Sequence, residues 1–188
     1  MRVFRTFRVA SMFVILGAAP LAAQSGAQQM PPMPKPGAEH AVMKMDVGTW
    51  DAVVEINAGP GMPAMTSKGV EVNTMGCGGL CLITDFKGQA MGAPFEGHGV
   101  MTWDAGKKRY IASWTDSMSM GLAIGESTND PAAKKWSGTM EGPDMTGNVM
   151  KTRSVVENRG ATRMMTAYAT GPDGKEVQAM KITYTRRK

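Results

Sequence analysis

Apolar and polar residues alternate with a period of two along most of the chain after residue 48. In residues 49–56, Trp50 and Ala52 share one parity, while Asp51 and Glu55 share the other. This alternation is typical of a strand with one buried face. With this run included, such alternating runs occur at residues 49–56, 67–75, 80–87, 95–104, 109–116, 122–129, 135–140, 149–157, 161–170 and 176–186.

Turn-forming residues separate these runs, as at residues 57–61, 104–106 and 129–131. Their glycine, proline, asparagine and aspartate residues supply the backbone angles that tight turns need. Short strands that follow one another favour an up-and-down meander, and closing the meander removes its exposed edges. We therefore predict an all-β fold, a single antiparallel β-barrel of eight to ten strands over residues 37–188.

The segment before the first strand predicts a short helix over residues 36–47. His40, Met43 and Val47 fall on one helical stripe, with an acidic residue early and a basic residue late, as the helix dipole prefers. Residues 24–36 are polar and rich in proline, which predicts an extended, poorly ordered leader.

Residues 1–23 have the composition of a secretory signal peptide. Three arginines precede an apolar stretch, residues 9–21, and the small residues Ala22 and Ala23 follow it. This stretch is shorter than the roughly 20 residues that a permanent membrane helix needs. We predict cleavage after Ala23 and a periplasmic or secreted location. Because no cysteine stands directly after the apolar stretch, we expect no membrane anchor after cleavage.

Export also changes how the charge is interpreted. The whole chain has 21 lysines and arginines against 16 acidic residues, and cleavage leaves 18 against 16. Three of the remaining basic residues are at the carboxyl end, and no basic stripe with interleaved aromatic residues remains. We therefore expect no nucleic-acid partner.

The two cysteines, Cys77 and Cys81, lie on either side of a Gly-Gly turn. In an oxidising compartment an even cysteine count favours a disulfide, which would clip a hairpin. Two buried thiols are the alternative. A metal or redox role is the weakest interpretation, because a thioredoxin-like motif has only two residues between its cysteines.

Polar residues within the strands are the candidates for ligand binding. Glu96 and His98 share one face of their strand, and Trp114 and Asp116 share a face with Tyr110. If these faces point inward, they form a mostly apolar pocket with a few polar groups, as ligand sites usually do. In the alternative, Glu96, His98 and Asp116 point into solvent. The complete candidate set is Trp50, Asp85, Glu96, His98, Tyr110, Trp114, Asp116 and Glu126.

Catalysis has little support in the sequence. No nucleophile elbow, zinc-binding HExxH motif or phosphate-binding glycine loop occurs. We expect no catalytic residue and no cofactor. A hydrolase-like enzyme that uses interior carboxylates such as Asp85 and Asp116 with His98 is one alternative.

Methionine provides a second alternative, because the chain has 19 methionines. Thioethers with histidine suit Cu(I), and His40, Met43 and Met45 are the best candidate ligands. Packing is the competing interpretation, since methionine also fills irregular cores. We expect no metal site on the main interpretation.

The motif Gly48-Thr49-Trp50, together with Arg186 and Arg187 at the end of the last strand, resembles the ends of lipocalin-like (calycin-like) barrels. In those barrels a Gly-x-Trp opens the first strand, and an arginine of the last strand lies across the tryptophan. The resemblance implies that Arg186 or Arg187 closes the barrel over Trp50 by a cation–π contact.

Longer segments resemble the bacterial domain of unknown function 1579 family. They include VGTWD, TDFKG, MGAPFEGHG and TGPDGKE, and the complete set lies at residues 33–40, 47–51, 84–88, 91–99, 110, 114–116, 141–144 and 170–176. This resemblance implies the same barrel and brings no activity with it. The chain departs from the family pattern at Cys77 and Cys81, where glycine and a large apolar residue are expected.

Together these features predict an exported, non-catalytic protein that binds a small, partly apolar ligand inside its barrel. The identity of the ligand and the oligomeric state are left open.

Overall fold

The computed structural model describes residues 32–57, 63–170 and 174–188, and in these ranges one α-helix precedes ten β-strands. The helix α1 spans Ala38–Lys44, and a short 3-10 turn, Cys77–Gly79, connects β2 to β3. The strands are β1 Gly48–Ile56, β2 Met65–Gly76, β3 Cys81–Ala90, β4 Ala93–Asp104, β5 Arg109–Asp116, β6 Ala123–Asp130, β7 Lys135–Pro143, β8 Val149–Asn158, β9 Thr162–Thr170 and β10 Glu176–Arg186. The predicted signal peptide and residues 24–31 of the predicted leader lie outside the described residues.

The strands form one closed antiparallel barrel. Each strand pairs with its neighbour in sequence, and β1 pairs with β10 to complete the ring. The predicted all-β class and the up-and-down barrel are confirmed, with ten strands. β5 and β10 have the predicted bounds, whereas β7 continues past residue 140 to Pro143. The helix is shorter than the predicted 36–47, because it begins after Gly37 and ends at Lys44.

Alternate residues of each strand face the barrel interior, as the period of two requires. In β1, Trp50 and Ala52 are buried, while Asp51 and Val53 are exposed. The buried apolar residues form two clusters. The first contains Trp50, Ala52, Val54, Phe86, Ile182 and Tyr184, and the second contains Met43, Leu82, Tyr110 and Trp136.

Helix α1 supplies the second cluster with Met43, whose side chain is fully buried. The hydroxyl of Tyr110 donates to the backbone carbonyl of Glu39 at 3.2 Å, which ties the helix to β5. Among the described residues, no helix has the length and apolar character needed to cross a membrane.

The two ends of the chain meet at Trp50, which pairs with Arg186 in the register of β1 and β10. The Arg186 guanidinium lies 4.1 Å from the centre of the Trp50 ring and donates to the carbonyls of Val47 and Met45 at 2.5 and 2.7 Å. Arg187 instead donates to the carboxylate of Asp51 on the outer face. Of the two candidate arginines, Arg186 is therefore the one that lies across the tryptophan.

Gly48 makes this closure sterically possible. Its φ is +138°, and a Cβ atom placed there would lie 2.6 Å from Nη1 of Arg186. Any side chain at this position would displace the guanidinium and strain the backbone.

At the β2–β3 connection, Cys77 and Cys81 form a disulfide with their Cα atoms 5.5 Å apart. Gly78 and Gly79 of the connecting turn have φ values of 66° and 91°, which glycine adopts without steric cost. The bond joins the two ends of the β2–β3 turn and therefore closes only a very short loop.

Candidate binding site

A cavity of about 210 Å³ lies inside the barrel and borders both apolar clusters. Leu82 and Trp136 line it from the second cluster, and Tyr184 lines it from the first. Small residues, including Ala112 and Gly138, face the same space and leave room for it. Further lining residues are Asp46, Glu71, Asn73, Thr84, Met101, Gly125, Glu126, Ser127, Thr139, Met140, Ser154, Val156, Arg163 and Met165.

The polar part of the lining is centred on Arg163 of β9. Its guanidinium contacts the carboxylate of Glu71 on β2 and that of Asp46, which follows helix α1, the latter at 3.2 Å. All three side chains are less than a tenth exposed. Burial of this kind requires charges to be paired, and here one cation contacts two anions.

Two aromatic rings enclose the same guanidinium. Its central carbon lies 4.6 Å from the centre of the Trp50 ring and 4.2 Å from that of Tyr184. A cation over an aromatic face is attracted by the ring quadrupole, and the attraction grows when both groups are shielded from water. Trp50 therefore lies beneath two guanidinium groups, those of Arg163 and Arg186.

Neutral side chains extend this network along the lining. The amide of Asn73 donates to Glu71 at 2.6 Å and to the carbonyl of Asp46 at 3.2 Å. The hydroxyl of Thr84 in turn donates to the amide oxygen of Asn73 at 2.6 Å. Glu71 is thus held by two side chains from different strands, Asn73 of β2 and Arg163 of β9.

The electrostatic environment keeps Tyr184 neutral and Arg163 charged. Burial raises the pKa of Tyr184 well above its usual range, and the negative charge of Glu71 adds to the effect. Burial by itself lowers the pKa of Arg163, but the neighbouring Glu71, Tyr184 and Asp46 raise it further than burial lowers it. At neutral pH, the Tyr184 hydroxyl therefore keeps its proton, and Arg163 stays charged beside Glu71 and Asp46.

Sequence comparison places the whole barrel in one family. The family model described as protein of unknown function (DUF1579) matches residues 35–186. The chain belongs to this family. A search of curated proteins gives no match. The predicted resemblance is confirmed, and the match covers helix α1, every strand of the barrel and the cavity.

The DUF1579 barrel places four of the candidate ligand-binding residues on its outer face. Asp85 and His98 contact each other at 2.8 Å, with side chains that are 56% and 51% exposed. Glu96 pairs with Lys87 and Glu126 pairs with Lys107, also on exposed side chains. Of these four, only Glu126 borders the cavity, and its carboxylate is directed to Lys107. The assignment of these carboxylates and of His98 to an interior pocket is corrected accordingly.

The reason lies in the packing of β4 against β5. Gly97 and Gly99 face inward beneath the ring of Trp114, and a Cβ at these positions would lie 2.2 and 3.0 Å from that ring. The indole needs this space, so Glu96 and His98 must point outward. In β4, Phe95 and the two glycines therefore face the interior.

Trp50, Tyr110, Trp114 and Asp116 do not line the cavity themselves. Trp50 lies beneath Arg163, and Tyr110 belongs to the second cluster. Trp114 packs against the first cluster and donates through its indole nitrogen to Asp116 at 2.8 Å. Asp116 also accepts from Ser119 and from the backbone amide of Met118, so it organises the β5–β6 connection.

The candidate copper ligands have separate environments. Met43 is fully buried in the second cluster, whereas Met45 is 56% exposed. Nδ1 of His40 accepts a hydrogen bond from the backbone amide of Gly37. Met43 therefore serves as a core residue, which is the packing role that the sequence also allowed.

The buried charged residues of the cavity, Asp46, Glu71 and Arg163, were not among the candidates. Arg163 has the same parity as Met165, Ala167 and Ala169 in its strand. A charged residue on the apolar parity of a strand is the local signal of a buried ion. Glu71 gives no such signal, because Val70 and Val72 beside it make the opposite parity the more apolar one.

Proposed function

We propose that this DUF1579 barrel is an exported protein that binds a small, partly apolar molecule in its interior cavity. The cavity, with a buried polar network on an otherwise largely apolar lining, carries the proposal. Ligand sites combine these features because apolar contact supplies affinity while a few polar groups fix the orientation. The surface dyad of Asp85 and His98 lies on the outer face and does not enter this site.

The volume limits the size of the ligand. A cavity of about 150 Å³ in another protein holds benzene, and this cavity measures about 210 Å³. Pockets that bind drug-sized ligands generally have volumes of about 300–1,000 Å³. The proposed ligand is therefore close to one substituted ring in size, or a short branched chain of similar volume.

Export is supported by the amino-terminal sequence and agrees with the disulfide. Residues 1–23 have the three regions of a signal peptide. Cys77 and Cys81 form a bond that persists in oxidising compartments and is rare in the cytosol. The proposed location is the periplasm or the extracellular space.

Methionine methyl groups provide a direct test of binding. Met101, Met140 and Met165 line the cavity, while Met120 and Met145 are more than half exposed. In protein labelled with ¹³C at the methionine methyl groups, one-ring aromatic molecules should shift the signals of the first three and leave the other two unchanged. Native mass spectrometry should show one molecule bound per chain.

A pair of matched variants locates the binding in the cavity. Ala112→Phe introduces a ring into the cavity and should abolish the methyl shifts, whereas Ala133→Phe places the same ring on an exposed turn and should preserve them. Thermal unfolding checks that both variants are folded. If no aromatic probe shifts a cavity methyl in the unmodified protein, or if Ala112→Phe binds as well as Ala133→Phe, the proposal is wrong.

A further inference from the structure

We infer that the cavity selects an uncharged ligand with a hydrogen-bond-accepting oxygen, such as a small ketone, ester or ether, and that the Ser127 hydroxyl donates to this oxygen. The inference rests on the proposed binding function and specifies the chemical class of the ligand. Two observations support it: the charge balance of the buried network and the buried polar atoms that lack partners.

The charge balance disfavours an anionic ligand. Asp46 and Glu71 carry two carboxylates against the single guanidinium of Arg163, so the network has a formal excess of one negative charge. The two terminal nitrogens of Arg163 are already directed to these carboxylates. A ligand carboxylate would therefore enter this buried network as a third anion with no free cation to meet it.

Two lining residues have buried polar atoms without a hydrogen-bond partner in the part of the chain that the structure describes. These atoms are the hydroxyl oxygen of Ser127 and Nε of Arg163. Buried polar groups are nearly always paired, so each such atom calls for an explanation. An arginine nitrogen donates and never accepts, and a serine hydroxyl donates equally well. Both atoms are covered by protein in this structure, so the partner that suits both is an acceptor atom on a ligand that enters between the covering side chains.

The same atoms disfavour a cationic ligand. An ammonium group has donors only, so it cannot pair with Nε of Arg163, whatever the charge balance of the network. Glu71 is also occupied, because Arg163 and Asn73 both donate to it. A neutral oxygen on a compact apolar body therefore matches the lining best.

Four probes of similar shape separate these possibilities: acetophenone, ethylbenzene, benzoate and benzylamine. They share one ring and differ in carrying a neutral acceptor, no polar group, an anion or a cation. Affinities are measured by calorimetry, and the shifts of the methyl signals of Met101, Met140 and Met165 establish that the probe occupies the cavity. We expect acetophenone to bind at least about tenfold more tightly than benzoate or benzylamine, and several-fold more tightly than ethylbenzene.

Serine variants then test the hydrogen bond. Ser127→Ala should weaken acetophenone binding about three- to tenfold and leave ethylbenzene binding unchanged, because one neutral hydrogen bond is lost. Ser137→Ala is the matched control, since Ser137 is exposed on the neighbouring strand β7, and it should change neither affinity.

The outcomes distinguish this inference from the proposed function. Equal binding of acetophenone and ethylbenzene, tighter binding of either charged probe, or an unchanged ratio of the two neutral affinities in Ser127→Ala overturns the ligand class while leaving cavity binding intact. Failure of all four probes to shift a cavity methyl overturns the ligand class and the binding proposal together.

Discussion

Arg163→Met removes the one cation that contacts both Asp46 and Glu71 while keeping an unbranched side chain of comparable bulk. Both carboxylates then remain buried beside an apolar group. Removing one partner of a buried ion pair costs about 3–5 kcal/mol. The lost contacts with Trp50 and Tyr184 add roughly 0.5–2 kcal/mol each. We therefore expect a loss of about 4–9 kcal/mol, most of the stability of a typical domain.

Urea unfolding followed by tryptophan fluorescence measures this loss, provided that the slope of the transition stays constant. Arg153→Met is the matched control. Arg153 pairs with Glu176 at 2.7 Å and lies over Tyr168, but it does so on the outer face of the neighbouring strand β8. Because water screens this pair, its removal should have little effect.

Neutralising one carboxylate gives a second readout if Arg163→Met is too unstable to study alone. Adding Glu71→Gln to Arg163→Met removes one unpaired buried charge and should recover more than about 1 kcal/mol. The same Glu71→Gln change in the unmodified protein removes a paired charge and should destabilise it. The explanation is refuted if Arg163→Met costs no more than Arg153→Met, or if Glu71→Gln has the same sign of effect in both backgrounds.

Three further predictions follow from the same geometry. Burial raises the folded-state pKa of Tyr184 above its ordinary value of 10.0, so its contribution to stability is fully present below pH 10 and falls as pH rises towards the folded pKa. Tyr184→Phe should therefore show a shallower alkaline decline in urea unfolding than the unmodified protein, and parallel declines would contradict this. Gly48→Ala should cost about 1–3 kcal/mol, because its φ is +138° and its Cβ would meet Arg186, whereas Gly106→Ala in an exposed turn should be nearly neutral in the same assay. Expression of the full chain in a Gram-negative host should give a periplasmic protein whose mature amino terminus is Gln24, and an uncleaved cytoplasmic product would contradict export.

The strands were predictable because their signal is local. Successive side chains of a strand point to opposite faces, so a run such as residues 49–56 reveals its conformation without reference to the rest of the chain. The same holds for the Gly-Gly turn between Cys77 and Cys81, which depends on residue types at a fixed short spacing. The contact of an arginine with Trp50 was expected only from the resemblance to lipocalin-like barrels, and the structure decided between Arg186 and Arg187.

The direction in which a strand faces was less predictable, and β4 shows why. Its sequence allows Glu96 and His98 to face either way, since alternation defines two faces without naming the inner one. The ring of Trp114, from the next strand, occupies the space left by Gly97 and Gly99 and thereby decides the matter. The deciding contact is between strands, so the sequence of β4 alone does not contain it.

The sequence by itself determined the ten-strand pattern, the helix before it and the turns between them, because alternation and turn chemistry act over a few residues. Only the tertiary structure decided which polar residues meet inside the barrel. Arg163 is 117 residues from Asp46 and 92 from Glu71 along the chain, and ring closure brings the three together. A buried charge is tolerable only beside its partner, and barrel topology sets which residue that partner is.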